Sequence, residues 1–188
     1  MKKVLVLLAD GFEEIEALSV VDVMRRAKVE CKMCSIEGEY VRGTHDIIIK
    51  SDCNINEVDG KDYDAVVLPG GLPGADNLKA DVVKNLVTKM NADKKIVAAI
   101  CAAPGTLQYF GILEGKRCTS YPGCMISTDS VDYVEEEPVV IDENIITSRG
   151  PATALVFALA VLGELGCINE MEEIQEGMLV NFYNKYGK

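Results

Sequence analysis

The sequence is poor in several features that mark large classes of protein. Its 188 residues include one histidine, His45, and 19 basic against 30 acidic side chains, a formal charge of -11. This acidic excess repels nucleic acid and anionic membranes, so we expect neither as a partner. No apolar run approaches the roughly 20 residues of a membrane-spanning helix. The start, MKKVLVLLADGFEEIEA, lacks a signal-peptide cleavage site, and we interpret it as a first strand.

The cysteines have no regular spacing. There are seven, an odd number, in a chain long enough to be stable without disulfides. Reduced thiols and a cytoplasmic location are therefore expected. Cys31 and Cys34 form one close pair that resembles half a zinc site or a redox motif, but no second pair and no nearby histidine completes it. We expect two thiols in or beside a strand, and no metal.

Short apolar runs alternate with segments whose apolar residues recur at helical spacing. The predicted strands are 3–8, 29–36, 46–49, 63–68 and 95–100, followed by short strand-like pieces at 116–120, 138–142 and 145–148. The predicted helices are 13–27, 75–90, one from 102 to 110, and one beginning at Pro151. Continuously apolar strands are typical of a parallel sheet that helices cover on both faces. We predict a doubly wound, mostly parallel α/β/α sandwich, as one domain over residues 1–188.

The helix after Pro151 differs from the others in composition. Its sequence, ATALVFALAVLGEL, is apolar nearly all round. Such a helix has no polar face to present to solvent, so we expect it to be buried, either in the core or against a partner subunit.

Ligands of such sheets bind beyond the carboxyl ends of the strands, and Cys101 follows one of them directly. It lies in VAAICAAPG, with small residues two positions away on either side, as a nucleophile elbow requires. The helix that begins at Ala102 directs its free amides at the sulfur, which predicts a lowered pKa of the thiol. The alternative is a buried structural cysteine.

A nucleophilic cysteine needs a proton partner, which is most often histidine. His45 is the only histidine, and alanine follows Cys101 where some cysteine proteases place their base. The remaining candidates are Glu13, Glu14 and Glu16. Glu16 would lie one turn inside the first helix, where a partly buried acid can have a raised pKa and hydrogen-bond sulfur. For Glu13 and Glu14 we favour the alternative, surface residues that compensate the helix dipole at a helix start.

Two further segments end near the same cleft. Pro69-Gly70-Gly71 offers a backbone amide which, with that of Ala102, could form an oxyanion hole; alternatively it is only a turn. Arg149 ends a later strand, and it would either bind a carboxylate or phosphate or pair with an acidic side chain.

Five segments together resemble a known family. They are KVLVLLADGFEEIEA, VDVMRRA, DAVVLPGG, IVAAICAAPG and ITSRGPATA, in that order. The chain is similar to the ThiJ/PfpI superfamily of class I glutamine amidotransferase-like domains, and within it to the DJ-one branch of Parkinson-associated, deglycase-like proteins. The resemblance implies a flavodoxin-like fold, a homodimer and no cofactor. It makes Cys101 the elbow cysteine, Glu16 the acid that hydrogen-bonds it, and Gly71 and Ala102 the backbone donors.

Two positions depart from that family. Tyr121 stands where several members have a histidine before a proline, and His45 falls where an arginine reaches the partner's site, whereas Arg149 is retained. We list Tyr121, His45 and Arg149 as possible binding residues for substrate or anion.

The resemblance implies a glyoxalase or deglycase acting on small dicarbonyls or glycated adducts. The alternative is an oxidative-stress sensor or chaperone whose cysteine oxidises to the sulfinic acid. A role in thiazole-phosphate biosynthesis is weaker, because the sequence has no recognised phosphate loop.

Overall fold

A computed structural model describes residues 1–126 and 128–187 as an α/β structure. Its strands are β1 (Lys3–Leu8), β2 (Glu30–Ser35), β3 (Tyr40–Arg42), β4 (Ile48–Lys50), β5 (Cys53–Asn54), β6 (Ala65–Leu68), β7 (Ile96–Ile100), β8 (Arg117–Cys118), β9 (Asp132–Tyr133), β10 (Val139–Asp142) and β11 (Ile145–Ser148). Its helices are α1 (Glu14–Arg26), α2 (Gly74–Asn77), α3 (Asp81–Ala92), α4 (Ala103–Tyr109), α5 (Ala154–Glu164), α6 (Ile168–Gly177) and α7 (Val180–Tyr186).

The main sheet has seven strands in the order β10-β11-β7-β6-β1-β2-β5. Neighbouring strands are parallel except β10 and β11. The central five, numbered along the chain, follow the flavodoxin-like order 2-1-3-4-5. In this order the chain adds β2 on one side of β1 and then β6 on the other side, so the strand order reverses between β1 and β6. The predicted mostly parallel, doubly wound α/β fold is confirmed.

The two faces of the sheet carry separate hydrophobic clusters. On one face, strand residues such as Val6 pack with side chains of α1 and α5. On the other, residues such as Leu7 pack with side chains of α3 and α4. Adjacent strand residues point to opposite faces, so a strand segment buried on both sides must be apolar at every position, as β6 and residues 4–8 of β1 are. The helix α5, predicted to be buried, packs on α1 in the first cluster.

The helix predicted over 75–90 is wrong in one respect, because the chain forms two helices there, α2 and α3. Ala80, the N-cap of α3, has ψ 145° and therefore interrupts the helical backbone. The apolar spacing hides this break, since Leu78 between the helices is fully buried.

The strand predicted at 46–49 lies two residues later, as β4, and pairs with the unpredicted β3. Strand β5 was also missed, since two residues carry no measurable periodicity. Cys31 and Cys34 both lie in β2, as expected, and belong to different core clusters. Within the two described ranges, no helix has the length and apolar content needed to cross a bilayer.

The packing of α5 makes a testable prediction. Phe157 is fully buried in the first cluster, whereas Glu164 at the end of the same helix is exposed. Phe157→Ala should lower the free energy of unfolding by about 3–5 kcal/mol, because it removes buried apolar area and leaves a cavity. Glu164→Ala should cost less than about 1 kcal/mol. Urea denaturation of both variants measures this; equal losses would contradict the packing.

Candidate active site

The loops after β1, β6 and β7 meet at the edge of the sheet where the order of the strands reverses. Glu13, after β1, donates its backbone N–H to the carbonyl oxygen of Gly70 at 2.9 Å. Gly70, after β6, donates its N–H to Oε2 of Glu16 at 2.8 Å. A Cβ built on Gly70 would lie 2.7 Å from the Cβ of Cys101, which follows β7. The structure therefore places Cys101, Glu16 and the glycine pair close together.

Cys101 has the backbone geometry of a nucleophile elbow. Its φ is +63°, a region that non-glycine residues rarely occupy and that is costly to maintain. Two hydrogen bonds hold this conformation: its N–H donates to the carbonyl oxygen of Ser148 at 3.0 Å, and its carbonyl accepts from the N–H of Tyr121 at 2.8 Å. Ala99 and Ala103, two residues to either side, are fully buried. Larger side chains there would have no space.

Glu16 is fully buried and faces the thiol of Cys101. Its Oε2 accepts the Gly70 N–H, while its Oε1 is buried without a hydrogen-bond partner in the part of the chain that the structure describes. Burial raises the pKa of this carboxyl to about 7, although contacts with Cys101 and Gly70 oppose the shift. A proton on this carboxyl would give it a donor role toward the sulfur.

The predicted lowering of the Cys101 pKa by helix α4 is wrong for the thiol beside an ionised Glu16. Burial and then the negative carboxylate raise the pKa of the thiol to about 12, and the N–H groups of Gly71 and Ala102 offset only part of this increase. Two adjacent acids of this kind retain one proton between them. A thiolate is favourable here when that proton lies on Glu16, because the carboxylic acid then donates to sulfur and the repulsion disappears.

Gly70 and Gly71 have to be glycine. A Cβ on Gly70 would lie 2.9 Å from the backbone nitrogen of Ala102, in addition to its overlap with Cys101. Gly71 has φ +88°, and a Cβ there would overlap the carbonyl oxygen of Gly11. Backbone N–H groups can approach the cysteine this closely only because the side chains are absent. The part of Gly70 in holding Glu16 was not predicted, since a backbone contact has no signal in the sequence.

The interpretation of Glu13 and Glu14 as surface residues is wrong, because both are more than 90% buried. Glu13 caps α1, and its Oε2 accepts the backbone N–H of Glu16 at 2.8 Å. Glu14 accepts the backbone N–H and contacts Nδ1 of His45, both at 2.8 Å. Burial raises the pKa of Glu14, but the hydrogen bonds from His45 outweigh it, so the pKa lies below its usual value. Contact with Glu14 in turn raises the pKa of His45.

His45 therefore contacts Glu14 in this chain. Ligand atoms of Glu13, Glu14 and His45 lie within 4.8 Å of one another, close enough for a metal ion. Glu13 already accepts from Glu16, and Glu14 from His45, so an ion would have to displace these hydrogen bonds. We assign no metal to them.

Of the remaining candidates, Tyr121 contacts Cys101, whereas the guanidinium of Arg149 contacts other residues. The Tyr121 backbone binds Cys101, its ring packs over Gly150, and its side chain is half exposed. Nη1 of Arg149 donates to the carbonyl oxygen of Glu135 at 2.8 Å and to Oγ1 of Thr119 at 3.3 Å. No carboxylate among the described residues forms an ion pair with this guanidinium, which also lines a cavity with Met125, Tyr133 and neighbouring residues.

The fold and site define a class of α/β protein with a cysteine on a nucleophile elbow beside a buried glutamate. The chain belongs to the DJ-1/PfpI family, whose sequence model matches residues 2–164. It is 38% identical over 184 residues to protein dj-1beta of Drosophila melanogaster, covering 96% of this chain and 98% of that protein. It is 36% identical over 154 residues to a deglycase of Pyrococcus horikoshii, covering 80% and 91%.

Solved structures agree with this assignment. The crystal structure of Drosophila melanogaster DJ-1beta matches with a TM-score of 0.90, over 95% of this chain and 97% of that one. A structure of Toxoplasma gondii DJ-1, described as oxidized, matches at 35% identity with a TM-score of 0.89, over 95% and 98%.

The raised pKa of Glu16 predicts how stability depends on pH. Between the ordinary pKa of 4.5 and about 7, the folded protein retains a proton that the unfolded chain has lost, so stability falls as pH rises. Glu16→Gln mimics the protonated carboxyl and abolishes this dependence. From pH 4 to pH 8, wild type should therefore lose up to about 3 kcal/mol of unfolding free energy relative to the variant.

Urea denaturation at several pH values measures this difference. The exposed Glu172→Gln controls for the loss of one carboxylate. A difference between wild type and Glu16→Gln that does not change with pH would contradict the assignment of a raised pKa.

Proposed function

We propose that this chain is a cofactor-independent enzyme of the glyoxalase or deglycase type. It acts on methylglyoxal or its adducts, with Cys101 as nucleophile and Glu16 as acid and base. The observation that carries the proposal is the Oε1 of Glu16, which is buried, lacks a partner among the described residues and belongs to a carboxyl facing the Cys101 thiol. The relatives named deglycases support the same chemistry.

In the first step the thiol proton moves to Glu16 and the Cys101 sulfur adds to the aldehyde carbon of methylglyoxal. The carbonyl oxygen becomes an alkoxide, which takes hydrogen bonds from the N–H groups of Gly71 and Ala102. The same two amides lower the pKa of the Cys101 thiol, so they already point at the reacting sulfur. Glu16 then passes its proton to this alkoxide, so the product of the step is a neutral hemithioacetal and Glu16 is again a carboxylate.

In the second step Glu16 transfers protons between carbon and oxygen. Its carboxylate moves the hydrogen from the carbon that bears sulfur to the neighbouring ketone oxygen, which gives an enediol. It then moves the proton of the hydroxyl on the sulfur-bearing carbon to the neighbouring carbon, which converts the enediol into the thioester of lactate. Water then hydrolyses the thioester, releasing lactate and restoring the thiol. A carboxyl with a pKa of about 7 suits both directions of transfer at neutral pH.

The remaining residues would contribute to binding. Arg149 lines a cavity with Tyr133 and Glu135 and would bind an oxygen of the substrate or adduct there through its guanidinium. Tyr121 would cover the thiol from solvent. His45 would act toward a neighbouring subunit, as its position in the family implies; within its own chain its Nδ1 contacts Glu14.

Turnover of methylglyoxal to lactate tests the proposal. Cys101→Ser and Glu16→Gln should each lower kcat/KM at least about 100-fold, since one removes the thiolate and the other the proton carrier. Cys167→Ser is the matched control, because this half-buried thiol at the start of α6 takes no part in the proposed chemistry. Enzymatic lactate determination and circular dichroism of each variant provide the measurements.

A glycated peptide should be assayed in parallel. Release of the unmodified amine from this peptide, with little lactate from free methylglyoxal, would favour the deglycase over the glyoxalase. Absence of both products, or a Cys101→Ser variant as active as wild type, would refute the proposal.

The second candidate is a sensor or chaperone in oxidative stress, with Cys101 oxidised to the sulfinic acid. The observation that favours it is again the buried Glu16, since a protonated carboxyl can donate a hydrogen bond to a sulfinate oxygen. The similar Toxoplasma gondii structure described as oxidized fits this chemistry.

Mild peroxide treatment tests the second candidate. Cys101 should gain two oxygens, about 32 Da, before the other six cysteines are modified, because it is half-buried rather than enclosed and lies beside two amides. Intact mass and peptide mapping locate the added oxygens. Earlier oxidation of a different cysteine would contradict this candidate.

Three further properties are part of the proposal. A single domain over residues 1–188 is supported by one seven-stranded sheet that spans most of the chain. A homodimer is supported by the exposed apolar side chains of Ile15 on α1 and Val156 on the adjoining α5. A cytoplasmic location is supported by seven free thiols.

A further inference from the structure

Two thiols away from the candidate active site lie side by side at one edge of the main sheet. Cys34 on β2 and Cys53 on β5 are direct partners in the parallel register. Both side chains contact the same hydrophobic cluster, on the side of α3 and α4. Cys34 is fully buried, whereas Cys53 is half-buried and lies in the outermost strand of that edge.

This register meets the distance requirement of a disulfide. Neighbouring strands lie about 4.8 Å apart, and bridged cysteines have Cα atoms about 4.4–6.8 Å apart. Because both side chains point to one face, the sulfurs face each other without a change of register. Cys31, by contrast, is also on β2 but contacts the cluster on the opposite face.

We propose that Cys34 and Cys53 form a reversible intramolecular disulfide when the protein meets a peroxide. This site is separate from Cys101 and does not depend on the function proposed for it. The CxxC motif of Cys31 and Cys34 is not the reacting pair, because its two side chains lie on opposite faces of β2.

The surroundings assign different roles to the two thiols. Burial raises the pKa of both, but contact with Cys34 and the charge of Lys32 partly lower that of Cys53. Contact with Cys53 raises the pKa of Cys34 further, and the Cys34 thiol donates to the carbonyl oxygen of Ser35 at 3.8 Å. The more exposed Cys53 therefore reacts first, and Cys34 resolves the product.

The chemistry balances with hydrogen peroxide as the oxidant. The Cys53 thiolate attacks one peroxide oxygen, the O–O bond breaks, and the departing hydroxide takes up a proton, leaving water and a sulfenic acid. The Cys34 sulfur then attacks the Cys53 sulfur, the S–O bond breaks, and the oxygen leaves as water with the Cys34 proton. Two thiols give up two electrons, and one peroxide becomes two waters.

Strand geometry makes this disulfide easy to reduce. A disulfide requires Cβ atoms about 3.5–4.5 Å apart, which is closer than the spacing of about 4.8 Å between neighbouring strands. Strand β5 has two residues and only β2 as a neighbour, so it can move inward at the cost of some strain. Strained disulfides are the readily reduced ones.

The bridge would close a segment that reaches the N-terminus of α1. Between the two cysteines the chain forms the β3–β4 hairpin and places His45 on Glu14. Oxidation would fix both ends of this segment to the main sheet and restrict its unfolding.

The experiment uses the full chain with Cys101→Ser, so that the most reactive thiol of the second candidate function does not consume the oxidant. The protein is treated with hydrogen peroxide, blocked with N-ethylmaleimide and mapped without reduction. A Cys34–Cys53 linked peptide, a mass loss of about 2 Da and the loss of two blockable thiols are expected, and dithiothreitol should reverse all three.

Three variants in the same background assign the roles. Cys34→Ala should abolish the linked peptide and leave a Cys53 sulfenic acid that dimedone traps, whereas Cys53→Ala should leave Cys34 reduced. Cys31→Ala, at the opposite face of the same strand, should form the bridge as before. Blockable Cys34 and Cys53 after oxidation, or a linkage to any other cysteine, would overturn the proposal. This mapping needs no variant at positions 34 or 53, so it decides even if one fails to fold.

Discussion

The carboxyl of Glu16 is held between the N–H of Gly70 and the thiol of Cys101, and the rest of the site is built around this contact. It connects helix α1, the turn after β6 and the elbow after β7. Removing a carboxyl from water is costly, which is why its pKa is raised and why the neighbouring groups must fit closely. Glu13 fixes the start of α1, and the two glycines provide backbone donors without side chains in the way.

In the proposed mechanism the same contact replaces a histidine beside Cys101. A cysteine with a histidine partner needs a base that is neutral before reaction and positive afterwards. A buried glutamic acid alternates between neutral and negative instead, and the amides of Gly71 and Ala102 lie where they can stabilise negative charge on sulfur or oxygen. His45 is thereby free to bind Glu14 and to anchor the β3–β4 hairpin against α1.

The sequence was most informative at positions where a single physical requirement determines the residue type. Alanines around Cys101 predicted a sharp turn, and the position of Glu16 one helical turn from its start predicted burial beside the sheet. Charge misled at Glu13 and Glu14, since acidic residues are normally exposed and only the hydrogen bonds formed after folding compensate their burial. Strand β5 is too short to show an apolar pattern in the sequence. The pairing of Cys34 with Cys53 across β2 and β5 could therefore not be predicted either.

The left-handed backbone of Cys101 also limits which nucleophile the fold can carry. At φ +63° a side chain branched at Cβ meets the neighbouring backbone, so threonine is excluded even though its hydroxyl is a competent nucleophile elsewhere. Serine fits the space, but the pKa of its hydroxyl lies too far above that of a glutamic acid for the two groups to exchange a proton readily. The backbone conformation at position 101 and the need for an acidic group together favour cysteine as the nucleophile at this position.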